Sequence, residues 1–275
     1  MKKKGMKVLL RCVQEVPFDK WMEHIEMEER CDEVLGEFGF GRPRRYRALF
    51  GEENSNVRVS QTIYDSFGEL GALTQKWLAN GSLQRLEAER HRTFSRERRE
   101  LFFVDSGSRV PLWMQLTSKT PIRQEYLENC ANDNLLVPES PEELKENVDA
   151  GKIRIMYRLI QNVPREKWAE KLAQEHASDE LESKMTRALP LRYRAMFGTE
   201  KSHTRVHERE YDSYADIAEG WERFIFGSDM GSLKLEKQEY DRQEFFRWER
   251  EELFWVDTDC RIPKWMEIAS ELKSL

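Results

Sequence analysis

Short stretches in which apolar residues keep strand spacing alternate along this chain with longer stretches in which they keep helical spacing. Val8 to Gln14 is a β-rich run, and Ile155 to Gln161 is another. Pro17 and Pro164 follow, each suited to the first turn of a helix. That helix continues through Trp21 and Ile25 to about Leu35, and its counterpart through Trp168 and Leu172 to about Met185. Pro43 and Pro190 lead into a second strand. A turn bearing Gly and Asn, Gly51 to Asn56, leads into a third, Val57 to Tyr64. Ser66 with Glu69, and Ser213 with Asp216, have the spacing of capping boxes that open a second helix. That helix breaks near Asn80-Gly81 and near Gly227 to Gly231. A highly charged helical segment follows in each half, ending where a fourth strand starts at Leu101 and Leu253.

The chain therefore repeats itself. Pro43-Arg44-Arg45-Tyr46-Arg47-Ala48-Leu49-Phe50-Gly51 returns as Pro190-Leu191-Arg192-Tyr193-Arg194-Ala195-Met196-Phe197-Gly198, identical at seven of nine positions. An offset of 147 also aligns Trp21 with Trp168, Arg58-Val59 with Arg205-Val206, and Tyr64-Asp65-Ser66 with Tyr211-Asp212-Ser213. After short insertions, Glu100-Leu101-Phe102-Phe103-Val104-Asp105 matches Glu252-Leu253-Phe254-Trp255-Val256-Asp257, and Arg109-x-Pro111-x-Trp113-Met114 matches Arg261-x-Pro263-x-Trp265-Met266. The expected division is residues 1–116 for the first repeat, 117–151 for a linker with Pro121, Pro138 and Pro141, and 152–275 for the second repeat.

Composition narrows the function classes. Of 275 residues 35% are charged, but eight Trp and fourteen Phe supply enough apolar mass for real cores. The net charge of -6 gives no global field for nucleic acid, so no nucleic-acid partner is expected. The apolar run after Lys2-Lys3-Lys4 stops at Arg11, too short for a signal segment, and nothing approaches a membrane span. Cys12, Cys31, Cys130 and Cys260 are scattered, without the spacing of a disulfide frame or a zinc site. The expectation is a soluble cytoplasmic protein.

Strand, helix, strand, strand, helix, strand is the ferredoxin-like unit. With about 110 residues per copy, Tyr-Asp-Ser closing the third strand, and a second helix bearing Trp, each repeat resembles the dimeric α+β-barrel superfamily. The NIPSNAP-like branch is the most similar, through its aromatic–acid–Ser step. The resemblance covers both repeats but not the linker. It implies an α+β protein of two tandem ferredoxin-like βαββαβ repeats, their antiparallel sheets packed face to face as a pseudo-dimeric barrel within one chain. The superfamily includes monooxygenases, haem-handling proteins, isomerases and members with no assigned chemistry, so membership leaves function open.

Strand alternation then picks out arginines. Arg11, Arg45, Arg47 and Arg58, with Arg158, Arg192, Arg194 and Arg205 in the second repeat, are expected opposite the helix-covered faces. In a closed barrel that places all eight in the interior, as ligand-binding residues for a small anionic or polar molecule. The competing account is an internal ion network, with Asp105, Asp257, Glu53 and Glu200 as counter-charges.

Other candidates carry less. Tyr64-Asp65-Ser66 pairs a hydroxyl with a carboxylate, but a helix N-cap explains it better. Trp21, Trp113, Trp168 and Trp265 recur in register and read as packing. His203 and His207 are four apart on a presumed strand, but without a third ligand no metal and no cofactor is expected. Arg90, Arg92, Arg96, Arg98 and Arg99 alternate with glutamates, as on a solvated helix. Phe245, Phe246 and Trp248 must cover either the other repeat or a second chain, so a homo-oligomer stays open. No catalytic residue is assigned. The leading expectation is a NIPSNAP-like small-molecule-binding or scaffold protein. The alternatives are a cofactor-independent monooxygenase or isomerase acting in the cavity, and an oligomerisation module.

Overall fold

The structure is a computed structural model, and it describes residues 6–51, 53, 56–105, 110–128, 154–184, 189–198, 203–227 and 230–256. Asp257, Glu200, Trp265 and most of the expected linker lie outside the described residues.

Eight strands form one closed antiparallel barrel in the order β1-β3-β2-β8-β5-β7-β6-β4, with β4 returning to β1. The first half supplies β1 (Val8–Glu15), β2 (Arg44–Phe50), β3 (Val57–Tyr64) and β4 (Arg96–Val104). The second supplies β5 (Ile155–Asn162), β6 (Leu191–Phe197), β7 (Thr204–Tyr211) and β8 (Glu249–Val256). Four strands from each half meet at two seams, β2 on β8 and β4 on β6. Closure removes the sheet edges that two separate four-stranded sheets would expose.

The repeated nine-residue motif makes these seams. Its closing glycines explain why it ends as it does. Gly51 and Gly198 have φ of +126° and +123°, where a side chain is strained. A Cβ at Gly51 would lie 3.1 Å from the Glu251 carbonyl oxygen, and one at Gly198 3.1 Å from that of Arg99. Each glycine lets its strand end approach the other half's fourth strand.

Helices line the outer wall. In the first half they are α1 (Trp21–Glu37), α2 (Phe67–Leu78) and α3 (Gly81–Arg90). Two short ones follow, α4 (Leu112–Thr117) and α5 (Glu125–Glu128). The second half has α6 (Trp168–Lys184), α7 (Tyr214–Phe226) and α8 (Met230–Arg242). Pro17 and Pro164 cap short 3₁₀ turns that run into α1 and α6. The Ser66 hydroxyl accepts from the Glu69 amide at 3.1 Å and that of Ser213 from Asp216 at 3.2 Å, so both predicted caps form.

One expectation fails locally. The charged segment before the fourth strand is not one helix: α3 stops at Arg90 and β4 already starts at Arg96. Glu–Arg alternation satisfies helical pairing and strand pairing alike, and here Arg96 to Arg99 ladder with Cys12 to Glu15. The described start of the expected linker packs on the second half. Ile122 and Tyr126 join Val110, Trp113 and Met114 in packing on Trp168 and Leu172 of the second half.

Candidate functional site

Register decides which side chains enter the barrel. On β1, Val8 and Leu10 pack with Tyr64 and Leu101 against Leu70 and Leu73 of α2, so they face outward. Leu9, Arg11 and Val13 then face inward, beside their partners Ile63, Gln61 and Val59 on β3 and Phe102, Glu100 and Arg98 on β4. Two buried apolar clusters fill the interior, and each draws on both halves. One contains Leu9, Phe102, Val104, Ile160, Leu191 and Tyr193; the other contains Met156, Phe254, Val256, Val13, Tyr46 and Val59. Along β1, Arg11 lies between Leu9 of the first cluster and Val13 of the second. Arg158 lies in the same way between Met156 and Ile160 on β5.

A charged belt thus crosses the middle of an apolar interior. Arg11 Nη1 donates to Glu100 at 2.8 Å, and Arg158 Nη1 donates to Glu252 at 2.9 Å. Each guanidinium also stands over a ring from the other half, Arg11 at 5.7 Å from Phe254 and Arg158 at 5.9 Å from Phe102. Burial would raise the Glu100 carboxyl, but Arg11 and Arg158 hold it down at about 2. Glu252 is shifted the same way: burial opposes, and Arg158 and Arg11 prevail.

The belt departs from its own pseudo-symmetry on β3 and β7. Gln61 and Glu208 occupy the same position in the two repeats, and they touch: Gln61 Nε2 donates to Glu208 Oε1 at 2.9 Å. The Tyr193 hydroxyl also donates to Glu208, and Arg158 Nε lies 3.1 Å from it. One step along the strand, Glu210 stands where the first repeat has Ile63. It binds Arg44 at 2.5 Å and lies 3.4 Å from both Arg154 and the Tyr46 hydroxyl. Burial pushes the Tyr46 and Tyr193 phenols well up, so both stay protonated donors.

One edge of the belt lacks acceptors. Arg11 is fully buried, yet among the described residues its Nε and Nη2 have no hydrogen-bond acceptor. Those two N–H groups form the side fork that grips carboxylates in bidentate pairs. Nε and Nη2 of Arg158 also make no aligned hydrogen bond, although Glu208 lies against Nε.

No family model matches this chain, and no curated protein matches it. Solved structures do. A Fusobacterium nucleatum protein described as a candidate monooxygenase superposes with a TM-score of 0.50 at 12% identity, over 92% of this chain and 94% of its own. An anthrone oxidase-like protein gives 0.50 at 10% identity, over 93% and 92%. The fold is the dimeric α+β barrel. At such identities the likeness carries architecture and no chemistry.

The eight arginines expected inside the dimeric α+β barrel do not share a face. Only Arg11 and Arg158 enter it. Arg45, Arg47 and Arg58 lie on the outer wall, as do Arg192, Arg194 and Arg205, because Arg58 pairs in register with Gln14 and Arg47, and Arg45 with Ser60. The helices do not cover purely apolar surface; they bring the counter-charges. Arg58 binds Glu28 of α1 at 2.6 Å and Arg45 binds Asp32 at 2.6 Å. Arg192 binds Asp179 of α6 at 2.5 Å, while Arg205 binds Glu175. Asp105 takes both Arg194, at 2.8 Å, and Arg205. Arg47 stands 5.2 Å from the Trp255 ring.

His207 belongs to the same outer cluster. Its Nε2 lies 3.1 Å from Glu175, its Nδ1 accepts from Arg192, and burial drives its pKa well below the usual range. Lys171 is buried beside Glu175 at 3.2 Å, and burial lowers its pKa to about 8. Among the described residues, ligand spacing for a metal occurs at Glu87, His91 and Glu97. Arg90 and Arg99 already pair with both carboxylates there. Phe246 packs on the α6 cluster of its own half. Among the described residues no helix is long and apolar enough to cross a membrane.

Sequence reasoning passed over Gln61, Glu208, Glu100 and Glu252. The available signal was the break in the repeat itself, Gln against Glu at one aligned position on an inward-facing strand.

Proposed function

We propose that this protein binds a small anionic or polar molecule in the polar belt that Arg11 and Arg158 carry across the barrel. One observation carries the reading: a fully buried guanidinium whose two-donor edge meets no acceptor among the described residues. Each buried donor left without an acceptor costs about 1–3 kcal/mol, and an oxyanion on that edge removes the cost twice. The other six arginines of the sequence expectation serve the fold, since Glu28, Asp32, Asp105, Glu175 and Asp179 hold most of them on the outer wall.

We further propose that the barrel is a tandem duplication of a ferredoxin-like unit, with residues 1–116 and 152–275 as the copies and 117–151 joining them. In-register identity and matching strand order support it. A NIPSNAP-like affiliation belongs to the same proposal. It rests on Tyr-Asp-Ser alone, and its serine meets the local need for an N-cap. The rival enzyme, a cofactor-independent monooxygenase or isomerase, would use the same Arg11 edge to hold an enolate-like oxygen.

Thermal unfolding against formate, acetate, benzoate and phosphate tests the binding reading. At least one of these anions should raise the wild-type midpoint in proportion to the logarithm of its concentration. The paired variant Arg11→Met/Glu100→Gln should lose that response. A flat wild-type response to all four would overturn it.

A further inference from the structure

The two repeats treat their interior arginines differently, and one aligned position accounts for the difference. Arg158 faces Glu208 across the β5–β7 ladder, and Glu208 places a carboxylate 3.1 Å from Arg158 Nε. Arg11 faces Gln61 across the β1–β3 ladder at the equivalent point. A glutamine has no charge to offer, and this one turns its amide to Glu208 at 2.9 Å. The Nε and Nη2 of Arg11 are left without an acceptor among the described residues, on a side chain that is 0% exposed.

Resting on the reading that the belt binds a small molecule, we propose that the site is one-sided and specific for a carboxylate. The ligand's two oxygens bind the Nε–Nη2 edge of Arg11, one molecule per chain, and Gln61 keeps that edge open. Arg158 takes no ligand: its Nε and Nη2 also lack aligned acceptors, but the Glu208 carboxylate already stands 3.1 Å from Nε on that side, whereas Arg11 has only Gln61 there. The geometry matches the class: a guanidinium side edge presents two parallel N–H groups at the spacing of carboxylate oxygens. Phe254 lies against the face of Arg11 and leaves its edge as the binding surface. Among the described residues, Arg11, Arg98, Arg158 and Arg250 of the belt pair with Glu53, Glu100, Glu208 and Glu252. Binding then depends on two directed hydrogen bonds rather than on excess positive charge. That favours a planar two-oxygen group over a spherical anion such as chloride.

Gln61 is a positioning residue, and its action can be transferred. The Gln61→Glu/Glu208→Gln exchange keeps one amide and one carboxylate in contact at the centre of the barrel. It reverses which arginine is neutralised. The experiment follows the arginine side-chain ¹⁵Nε–¹H resonances of the full chain during titration with acetate and, separately, chloride. In the wild type the Arg11 Nε–H should shift with acetate and saturate, while Arg158 stays in place and chloride moves neither. In the exchange variant the responding resonance should be that of Arg158. Saturable shifts at both arginines in the wild type would leave belt binding standing and overturn the one-sided site. A response at Arg11 in both proteins would overturn the role of Gln61. An equal response to chloride would overturn the carboxylate class, and no response at either arginine would overturn the binding reading itself. The single variant Glu208→Gln should open Arg158 while Arg11 keeps its response, so the test survives if the exchange variant fails to fold.

Discussion

The guanidinium of Arg58 and the carboxylate of Glu28 meet at 2.6 Å on the outer wall of the barrel, both buried beneath α1. Glu28 also takes Arg45 at 3.1 Å, and these two cations together hold its carboxyl well below the usual range although burial pulls the other way. Removing Arg58 takes away its hydrogen bonds to the buried carboxylate and leaves Glu28 to Arg45. Arg58→Met is therefore expected to cost about 1.5–3 kcal/mol in urea unfolding, the range for hydrogen bonds to a charged group. Adding Glu28→Leu should recover most of that loss, because Arg45 keeps Asp32. A single-variant loss below about 1 kcal/mol would show that the pair contributes little.

Gly51→Ala and Gly198→Ala should each destabilise by about 1–3 kcal/mol, and by similar amounts. Both positions have positive φ, and both would press a Cβ against the backbone of the opposing strand. Gly71 in α2 is the control: a Cβ there meets nothing within 4 Å. Gly71→Ala should stabilise by up to about 1 kcal/mol. Chemical denaturation of the three variants checks the pattern, and equal effects at all three would refute the seam argument.

Much of this architecture could be read from the chain, and the failures have definite physical causes. The third strand, Val57 to Tyr64, and both serine caps are local features, set by β-branched residues and by side chains that satisfy nearby amides. Alternation correctly grouped Arg45 with Arg47. It could not say which face the helices cover, because that depends on carboxylates at Glu28, Asp32, Glu175 and Asp179 on elements distant in sequence. Arg11 and Arg58 were placed together for want of the β1–β3 register, which sets Arg11 opposite Gln61 and Arg58 opposite Gln14. The belt itself is a product of closure between the halves, and no single strand displays it.

Stability should fall in acid over a defined window. The Glu100 carboxyl is held at about 2 in the folded chain, against 4.5 for the free group. A depressed acid stabilises the fold above its unfolded pKa and loses that contribution as pH drops through the folded one. About 3 kcal/mol should therefore be present above roughly pH 5 and lost by about pH 2. Urea unfolding between pH 6 and 2 measures it. Glu100→Gln should show a shallower slope, and an unchanged slope would contradict the assignment.

Lys171 predicts the opposite arm. Burial lowers its pKa from 10.5 to about 8, against the pull of Glu175. Between those values the unfolded chain binds the proton and the folded chain does not, so this group's contribution to stability rises from pH 8 to about 10.5. Comparing wild type with Lys171→Met across that range isolates it. The difference between the two curves should grow in favour of the wild type as pH rises, and a constant difference would rule the shift out.

The most direct test of the central claim is a high-resolution crystal structure of the protein grown with acetate, with attention to the Arg11 side edge. The account predicts planar two-oxygen density within hydrogen-bond distance of both Nε and Nη2, between Phe254 and Glu100, with Arg58 still seated on Glu28. A guanidinium closed onto a protein carboxylate at that edge, or a lone water there at saturating acetate, would contradict it and leave the belt as a purely structural ion network.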